Sequence, residues 1–226
     1  MTAPGHQGDD YVGGSIQRAV IETGEVTTLY TECDGHQLRG PNDIVFDTNG
    51  GFWFTDLCKS RSRDSDNGGL YYALADGSSI VCAAYGLTKP NGVGLSPDGS
   101  TVYVAETSVG RVWKWNIVSP GVVERGTTPL AHGTLLYGFD GYQLLDSLAV
   151  DGDGNVCVAT LVTGAISVIS PEGELLDQVH VPKWDAYVTN ICFGGPDLTT
   201  AYVTSSGWGL LYEMPWERPG LRLNYQ

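Results

Sequence analysis

The sequence predicts an all-β fold of the propeller class, and three observations support this prediction. An Asn or Asp opens a short apolar run at positions 42, 91, 146 and 190, which gives a period of roughly 40 to 50 residues. Each run is followed by a turn and by a second run rich in β-branched and aromatic residues. Glycine is abundant, at 31 residues, as the turns of such a fold require. A repeat of this length, made of short strands, is typical of propeller blades.

The predicted strands form one hairpin and four repeats. Gly13–Val20 and Val26–Tyr30 form an outer hairpin with no inner strands before it. The inner and second strands of the repeats are Pro41–Phe46 with Phe52–Thr55, Pro90–Leu95 with Thr101–Ala105, Asp146–Val150 with Val156–Ala159, and Thr189–Phe193 with Ala201–Thr204. Outer strands follow at Gly69–Leu74, Ser79–Ala84, Gly110–Trp115, Gly164–Ile169 and Glu174–Val179. We expect one domain over 1–226, with a tail at 1–12, a partial blade at 13–40, and complete blades at 41–89, 90–145, 146–188 and 189–226.

Composition and charge restrict the function classes. Twelve Lys and Arg against 26 Asp and Glu give a formal net charge of −14, which argues against nucleic acid or an anionic membrane as a partner. The sequence contains neither an apolar run of membrane-spanning length nor the pattern of a signal peptide at its start. We therefore expect a cytoplasmic protein that binds small molecules and cations.

The repeat phase predicts a binding site. Equivalent positions of successive blades surround one axis, so Asn42, Asn91, Asp146 and Asn190 are expected to converge at one mouth of the channel. Amide and carboxylate oxygens suit calcium or another oxygen-preferring divalent cation better than zinc. The alternative is that each of these residues only shapes a turn.

Other motifs have structural explanations. The residues at 151–155 resemble the start of a calcium-binding loop, but Val162 stands where such a loop has glutamate. We therefore expect a β-turn at 151–155. Of the five cysteines, three lie in strand-like runs, whereas Cys33 and Cys58 lie in loop-like segments. The segment 61–68 is expected to be a loop near the mouth. Trp184, Tyr187 and Trp208 lie near loop ends, where one of them could line a substrate pocket.

Four motifs carry a resemblance to a known family. Pro41-Asn42-Asp43 through Asp56, Pro90-Asn91-Gly92 through Thr107, Asp146 through Asn155, and Thr189-Asn190 through Gly195 are together similar to the gluconolactonase and senescence-marker-protein (regucalcin) family. The similarity extends from about Gly13 to the end of the chain. It implies a six-bladed propeller that holds one divalent cation, commonly calcium, at the channel mouth, and an activity that hydrolyses sugar lactones or related esters.

The resemblance also implies residue roles. Asn91 matches the family's asparagine metal ligand and Asp146 its aspartate ligand, which is also the candidate catalytic residue. Asn42 matches an asparagine that contacts metal or substrate. Arg39 is matched to a substrate-binding arginine, at an offset from Asn42 that the sequence does not fix, and Asn190 would lie on the rim.

The chain departs from the family pattern in two places. Ser147 stands where glycine is usual. Nothing resembles the first-blade motif that supplies a glutamate to the metal, so the resemblance implies about four and a half blades, without the first blade and the inner half of the second. A truncated chain would explain this; alternatively Asp9 or Asp10, or a second chain, could complete the site.

Three functional hypotheses follow. The first is a calcium-dependent lactonase in which the metal polarises the lactone carbonyl and Asp146 binds the metal and orients or deprotonates water. The second is a calcium-binding propeller without catalysis. The third is an inactive, incomplete ring, for which exposed blade edges predict self-association.

Overall fold

The computed structural model describes residues 6–126 and 132–225, and the regular structure in these ranges is β-strand throughout. The strands are β1 (Ile16–Ala19), β2 (Val26–Tyr30), β3 (Glu32–Cys33), β4 (His36–Gln37), β5 (Pro41–Phe46), β6 (Gly51–Asp56), β7 (Gly68–Leu74), β8 (Ile80–Leu87), β9 (Pro90–Leu95), β10 (Thr101–Glu106), β11 (Arg111–Ser119), β12 (Val122–Val123), β13 (Thr134–Gly138), β14 (Leu145–Val150), β15 (Val156–Thr160), β16 (Ala165–Ile169), β17 (Leu175–His180), β18 (Val188–Gly194), β19 (Thr200–Ser205) and β20 (Leu210–Pro215). The prediction of an all-β fold is confirmed.

Strands β5 to β20 form four antiparallel sheets with a propeller-like arrangement. The first sheet contains β5 to β8, the second contains β9 to β11 with β12 and β13 both paired to β11, the third contains β14 to β17, and the fourth contains β18 to β20. The first strands of neighbouring sheets, β5, β9, β14 and β18, contact one another in this order. They therefore surround a common axis, and the other strands of each sheet lie progressively further out.

The hydrophobic core is divided into layers between consecutive sheets. Side chains of the first and second sheets share one buried cluster that contains Trp53 and Val93. A second cluster, with Tyr103 and Val150, joins the second and third sheets. The third and fourth sheets meet around residues such as Ile166 and Phe193. Because β15 and β16 are covered on both faces, every residue in these two strands is buried.

The short hairpins β1–β2 and β3–β4 precede the first sheet. Tyr30, Cys33 and Leu38 from this region pack against Phe52 and Phe54 of the first sheet. The predicted outer hairpin is therefore present and is held by apolar packing. Cys33 was expected in a loop, but it is buried in β3 because its side chain faces this cluster.

Asx-type turns join the inner and second strands. The carboxylate of Asp151 accepts hydrogen bonds from the backbone N–H groups of Asp153 (3.0 Å) and Asn155 (2.8 Å), and Asp47 holds the turn of the first sheet in the same way. Gly154 has a φ of +87°, a left-handed conformation that glycine adopts without strain. The segment at 151–155 is thus a turn, as the sequence predicted.

The fourth sheet differs from the prediction of a complete blade, because it has three strands rather than four. After β20 the chain reaches Trp216, whose N–H bonds to the carbonyl of Thr199 (2.7 Å), and it then leaves the sheet. Residues 216–225, which we call the C-terminal segment, cross the turns of the third sheet and reach the first. Asn224 Nδ2 donates to the carbonyl of Phe46 at 2.9 Å.

The two ends of the ring differ. We call the end where β5, β9, β14 and β18 begin the upper end, and the end with the turns after these strands the lower end. A central channel of about 500 Å³ runs between the inner strands, and its lining includes Asp43, Val93, Leu148 and Asn190, with Leu221 of the C-terminal segment at the lower end. Within residues 6–126 and 132–225, no helix has the length and apolar character needed to cross a bilayer.

Candidate active site

Each of the four inner strands begins with a β-bulge at the predicted site residue. The four residues of β5 from Pro41 to Ile44 lie opposite only three residues of β6, and the same one-residue shift occurs in β9 and in β14. A shift of one residue occurs at the start of β18, before Asn190. A bulge interrupts the alternation of side chains along the strand, so it can direct a polar side chain away from the blade interior. The bulges give the upper end of the channel its polar lining.

Side chains at the upper ends of the sheets fix the segments that lead into the bulges. Asp56, at the end of β6, accepts hydrogen bonds from the backbone N–H groups of Arg39 (2.7 Å), Gly40 (2.7 Å) and Cys58 (2.9 Å). Glu106, at the end of β10, accepts the N–H of Thr88 and the indole N–H of Trp113.

The third and fourth sheets have equivalent fixing side chains. Gln143 Oε1 accepts the N–H groups of Leu144 and Val162, both at 3.0 Å. Asp185 accepts N–H groups from Tyr187 (2.9 Å) and Gly207 (3.0 Å). The inner strands of all four sheets therefore start from rigid positions.

The structure brings Asn91 and Asp146 together. The Asn91 side chain is hydrogen-bonded with the Asp146 carboxylate, and its Nδ2 also contacts Thr107 Oγ1 at 3.3 Å. Asn91 is only 5% exposed, and its Oδ1 is a buried acceptor that has no hydrogen-bond partner among the described residues. An unsatisfied buried oxygen is costly in free energy unless a ligand or water binds it. The pair predicted from sequence is thus a contiguous polar site with a free acceptor.

A second carboxylate, Asp43, belongs to this site and was not among the predicted site residues. Its Oδ2 accepts the N–H of Val93 at 3.2 Å, and its carboxylate is also bonded by the side chain of Ser147 and the N–H of Leu148. Asp43 therefore links the inner strands of three sheets. Ser147, which replaces the glycine usual in the resembling family, supplies one of these bonds.

The two carboxyl groups are electrostatically coupled. Burial raises the pKa of Asp146 to about 6, the Asn91 hydrogen bond acts in the opposite direction, and the charge of Asp43 adds to the rise. Burial also raises the pKa of Asp43 to about 6, against the effect of its backbone hydrogen bonds. Near pH 6 both groups change between proton donor and proton acceptor, which is the range that general acid–base chemistry requires.

The other predicted residues lie apart from this pair. Asn42 and Asn190 are exposed, and Asn190 lines the central channel while its Oδ1 accepts the N–H of Ile191 at 2.8 Å. Asp9 and Asp10 are exposed in a turn of the N-terminal segment. No contact joins these residues to Asp146 in the part of the chain that the structure describes, and their participation remains a prediction.

Arg39 points to a different part of the upper end. Its guanidinium forms an ion pair with Asp66 (3.4 Å), bonds Gln7 Oε1 (3.0 Å) and lies over the ring of Tyr11 at 5.3 Å from the ring centroid. Arg39 lines a second cavity, of about 560 Å³, rather than the central channel. Its predicted substrate contact would require the guanidinium to leave these partners.

Lys89 is a further charged residue at this end. It directly precedes β9, is only 7% exposed, and its Nζ has no hydrogen-bond partner among the described residues. Burial lowers its pKa, and the nearby Cys58 and Asp66 act in the opposite direction. The burial of Lys89 could not be predicted from the sequence, because a lysine in a loop is normally exposed.

An aromatic group forms the opposite side of the upper end. Trp184 (62% exposed) and Trp208 (52% exposed) donate their indole N–H groups to the carbonyls of Thr163 (3.1 Å) and Trp184 (3.0 Å), and Lys183 Nζ lies over the Trp208 ring. These rings are both exposed and held in place. They border the third sheet, which contains Asp146, and the fourth sheet.

Comparison with known proteins identifies the family. The sequence profile of the SMP-30/gluconolactonase/LRE-like region matches residues 1–207 of this chain. The chain belongs to this family. The lactonase drp35 of Staphylococcus saprophyticus is 34% identical over 145 residues, which are 64% of this chain and 43% of that protein, and the drp35 lactonase of Staphylococcus haemolyticus is 31% identical over 144 residues. The matched part of the chain thus spans less than half the length of these curated relatives.

Solved structures of the SMP-30/gluconolactonase/LRE-like family share the fold. A six-bladed propeller of this family superposes with a TM-score of 0.74 at 22% identity, over 92% of this chain and 69% of the other. A gluconolactonase from Xanthomonas campestris has a TM-score of 0.69 at 23% identity, with 91% and 65% coverage. The calcium-binding protein regucalcin from Agrobacterium tumefaciens has a TM-score of 0.65 at 22% identity, with 81% and 65% coverage.

The donor set at Asn91 and Asp146 fits a hard divalent cation. In the described part of the chain, no group of three or more His, Cys, Asp or Glu side chains is placed to hold a metal. However, the free Oδ1 of Asn91 and the half-buried Asp146 carboxylate are oxygen donors of the kind that calcium prefers, and the Asn91 oxygen has no hydrogen-bond partner among the described residues. With Asp43 nearby, two carboxylates would supply negative charge to such an ion.

Proposed function

We propose that this chain is a metal-dependent lactone hydrolase, acting on sugar lactones or related esters. The observation that carries the proposal is the Asn91–Asp146 pair at the starts of β9 and β14, where a buried amide oxygen of Asn91 is unsatisfied and the half-buried Asp146 carboxylate has a raised pKa. Membership of the SMP-30/gluconolactonase/LRE-like family supports the reaction class, since relatives are named lactonases and gluconolactonases.

In this proposal Asn91 Oδ1 and Asp146 would hold a divalent cation, and these all-oxygen donors suit calcium better than zinc. When bound, the cation would polarise the lactone carbonyl and stabilise negative charge on its oxygen. Asp146 accepts the proton of the attacking water, for which its near-neutral pKa suits it. Asp43 maintains that basicity through its charge, and Thr107 orients the Asn91 amide.

Substrate binding is assigned to the residues around this pair. Asn42 and Asn190 are exposed at the starts of β5 and β18, where their amides can bond the hydroxyl groups of a sugar lactone. Arg39 remains a predicted substrate contact, although its present partners are Asp66 and Gln7.

Thermal unfolding with chelator and with calcium tests the metal site. A cation that binds only the folded chain at a hundredfold excess over its Kd should raise the midpoint by roughly 5–10 °C. Asp146→Asn should abolish this rise and lower kcat/KM for lactone hydrolysis at least about a hundredfold. Asp153→Asn, an exposed turn residue of the same blade, is the matched control and should leave both unchanged.

The outcomes separate the hypotheses. A calcium-dependent midpoint without hydrolysis of any lactone would favour the calcium-binding propeller without catalysis. Hydrolysis that is unaffected by chelator or by Asp146→Asn would contradict the proposed mechanism.

A further inference from the structure

Lys89 is a buried cation without a counterion. Its Nζ is inaccessible to solvent and has no hydrogen-bond partner among the described residues. An ammonium group in such a position loses its hydration, and a typical protein compensates it with a carboxylate or with several acceptors. Burial of the unpaired Lys89 charge therefore destabilises the fold, and stability does not explain why a lysine occupies this position.

The backbone at Lys89 is also held in an unusual conformation. Its φ is +58°, in the left-handed region that non-glycine residues rarely adopt, and the following residue is Pro90. Thr107 stabilises this conformation by donating its N–H to the Lys89 carbonyl at 2.9 Å. The same Thr107 contacts the Asn91 amide through Oγ1. Backbone strain of this kind is concentrated at binding and catalytic sites.

Two other cationic side chains lie near Lys89. Lys59 and Arg61 lie close enough to act on its charge. Arg61 is paired with Asp66 at 2.7 Å, whereas Lys59 faces the ring of Tyr11, with Nζ 5.0 Å from the ring centroid. These positive groups are gathered at one side of the upper end, in a chain whose formal net charge is −14.

The acidic groups near Lys89 are already engaged. Asp66 is bonded to Arg61 and also pairs with Arg39. The Cys58 thiol donates to the carbonyl of Asn67, and burial raises its pKa to about 12, so it is neutral at pH 7. Neither group is available as a full counterion for Lys89.

We propose that Lys89, with Lys59 beside it, binds an anionic group of the substrate, so that the preferred substrates are lactones that carry a free carboxylate or phosphate. Lys89 and Asn91 are separated by one residue, so their Cα atoms are at most about 7 Å apart. A six-carbon lactone is long enough to place its carbonyl at the Asn91–Asp146 pair and its terminal substituent at the lysine. The inference rests on the proposed lactone hydrolysis, and it adds the substrate class.

Two lactones that differ only at C6 test this directly. Glucaro-1,4-lactone carries a carboxylate where glucono-1,4-lactone carries a hydroxymethyl group. We expect the wild type to prefer the acid lactone, and Lys89→Met to lower kcat/KM for it by roughly tenfold to a hundredfold, the effect of losing one charge-assisted hydrogen bond. The rate with the neutral lactone should change by less than about twofold. Arg125→Gln, which removes a positive charge in the exposed segment after β12, should change neither rate.

Binding without turnover provides a second readout. In chelator, glucaro-1,4-lactone should raise the unfolding midpoint of the wild type but not that of Lys89→Met, and glucono-1,4-lactone should raise neither. Because methionine removes an unpaired buried charge while retaining an apolar chain, we expect the unliganded variant to be at least as stable as the wild type. A second variant, Lys59→Met, should weaken the same binding.

The results distinguish the two proposals. If no lactone is hydrolysed, the proposed function fails, and the midpoint shifts alone decide on the anion site. Equal effects of Lys89→Met on both lactones would overturn the inference. Stabilisation by inorganic phosphate alone, with equal rates for the two lactones, would show a free-phosphate site and would also overturn it.

Discussion

At the scale of single residues, carboxylates of this chain fall into two groups with different surroundings. Asp56, Asp151 and Asp185 each accept at least three hydrogen bonds and fix turns or loops. Asp43 and Asp146 are half-buried, and the effect of burial on their carboxyl groups exceeds that of their hydrogen bonds and raises the pKa of each. The first group stabilises the fold, and the second group is suited to bind a cation or to transfer a proton.

The pH dependence of the metal-free chain should report this second group. The pKa of Asp43 and Asp146 is about 6 in the folded chain, above the ordinary value near 4, so folding favours their protonated forms. Their contribution to the free energy of unfolding is present below about pH 4 and is lost as the pH rises through 6.

We expect the free energy of unfolding of the wild type in chelator to fall by on the order of 2 kcal/mol between pH 4.5 and 7.5, relative to that of the Asp43→Asn, Asp146→Asn double variant. Urea unfolding at each pH measures this difference. Saturating calcium should remove the difference. Parallel pH profiles for the two proteins in chelator would contradict the pKa values.

A turn carboxylate should behave differently. Asp151 is fully buried, accepts hydrogen bonds from Asn155 and forms an ion pair with Arg218, whose Nε lies 3.3 Å from Oδ2. Asp151→Ala removes the buried partner of Arg218 and leaves it only the exposed Glu217, so we expect a loss of about 3 kcal/mol in the free energy of unfolding, measured with denaturant. Asp98→Ala, in the exposed turn of the second sheet, is the control and should lose about 1 kcal/mol. Equal losses would indicate that burial of the pair is unimportant.

At the scale of strands, the positions of the repeats could be predicted from the sequence, whereas the directions in which individual side chains point could not be predicted as well. Alternation and turn residues indicated β5, β9, β14 and β18 and their partners, because these signals are local. Whether Asn42 or Asp43 faces the other sheets depends on the bulge between Pro41 and Ile44, which alternation does not reveal.

Contacts between segments that are distant in sequence could not be predicted from the sequence either. Arg39 bonds Gln7 and Asp66, and the burial of Lys89 depends on the loop that follows β6. The Asn91–Asp146 pair could be predicted because the repeat places both residues at the same phase. Residues outside that phase gave no comparable signal.

The close approach of β9 and β14 can be tested at Gly92. A Cβ at Gly92 would lie 2.5 Å from the N of Leu148 and 2.9 Å from the carbonyl O of Asp146, and neither backbone atom can move freely. We expect Gly92→Ala to cost about 1–3 kcal/mol in the free energy of unfolding and to remove the calcium-dependent rise in midpoint, because Asp146 is displaced.

Gly94→Ala is the matched control in the same strand. There a Cβ would meet the ends of the Leu148 and Val150 side chains, which can rotate away. This variant should keep its response to calcium. Loss of that response in both variants would show that the effect of Gly92→Ala is not specific to Asp146.

At the scale of the whole molecule, consecutive sheets are joined by apolar layers, and the C-terminal segment adds bonds between sheets that are not neighbours. Leu221 bonds Val150 of the third sheet, and Asn224 and Tyr225 contact Phe46 of the first. The segment covers the lower end of the channel. The upper end, with Asp146 and Lys89, lies on the other side of the ring.

Ending the chain after Gly220 should separate stability from activity. Removing these contacts exposes apolar surface of the channel, so we expect a loss of about 1–3 kcal/mol in unfolding free energy and stronger binding of the dye ANS. Lactone kcat/KM, measured well below the lowered midpoint, should remain within about twofold, since the site is remote from the change. A large fall in activity of a protein that is still folded would show that the lower end contributes to the site.

The bond between Asn224 and Phe46 joins residues 178 positions apart, and this separation has a consequence for folding. Contacts of such long range form late, because the loop that they close is costly in entropy until the intervening sheets have assembled. During synthesis the first sheet can form while the fourth is still absent, and its lower edge then stays open. The C-terminal segment is therefore the last part of the chain to dock onto the first sheet. Incompletely synthesised chains that lack this segment should misassemble most readily.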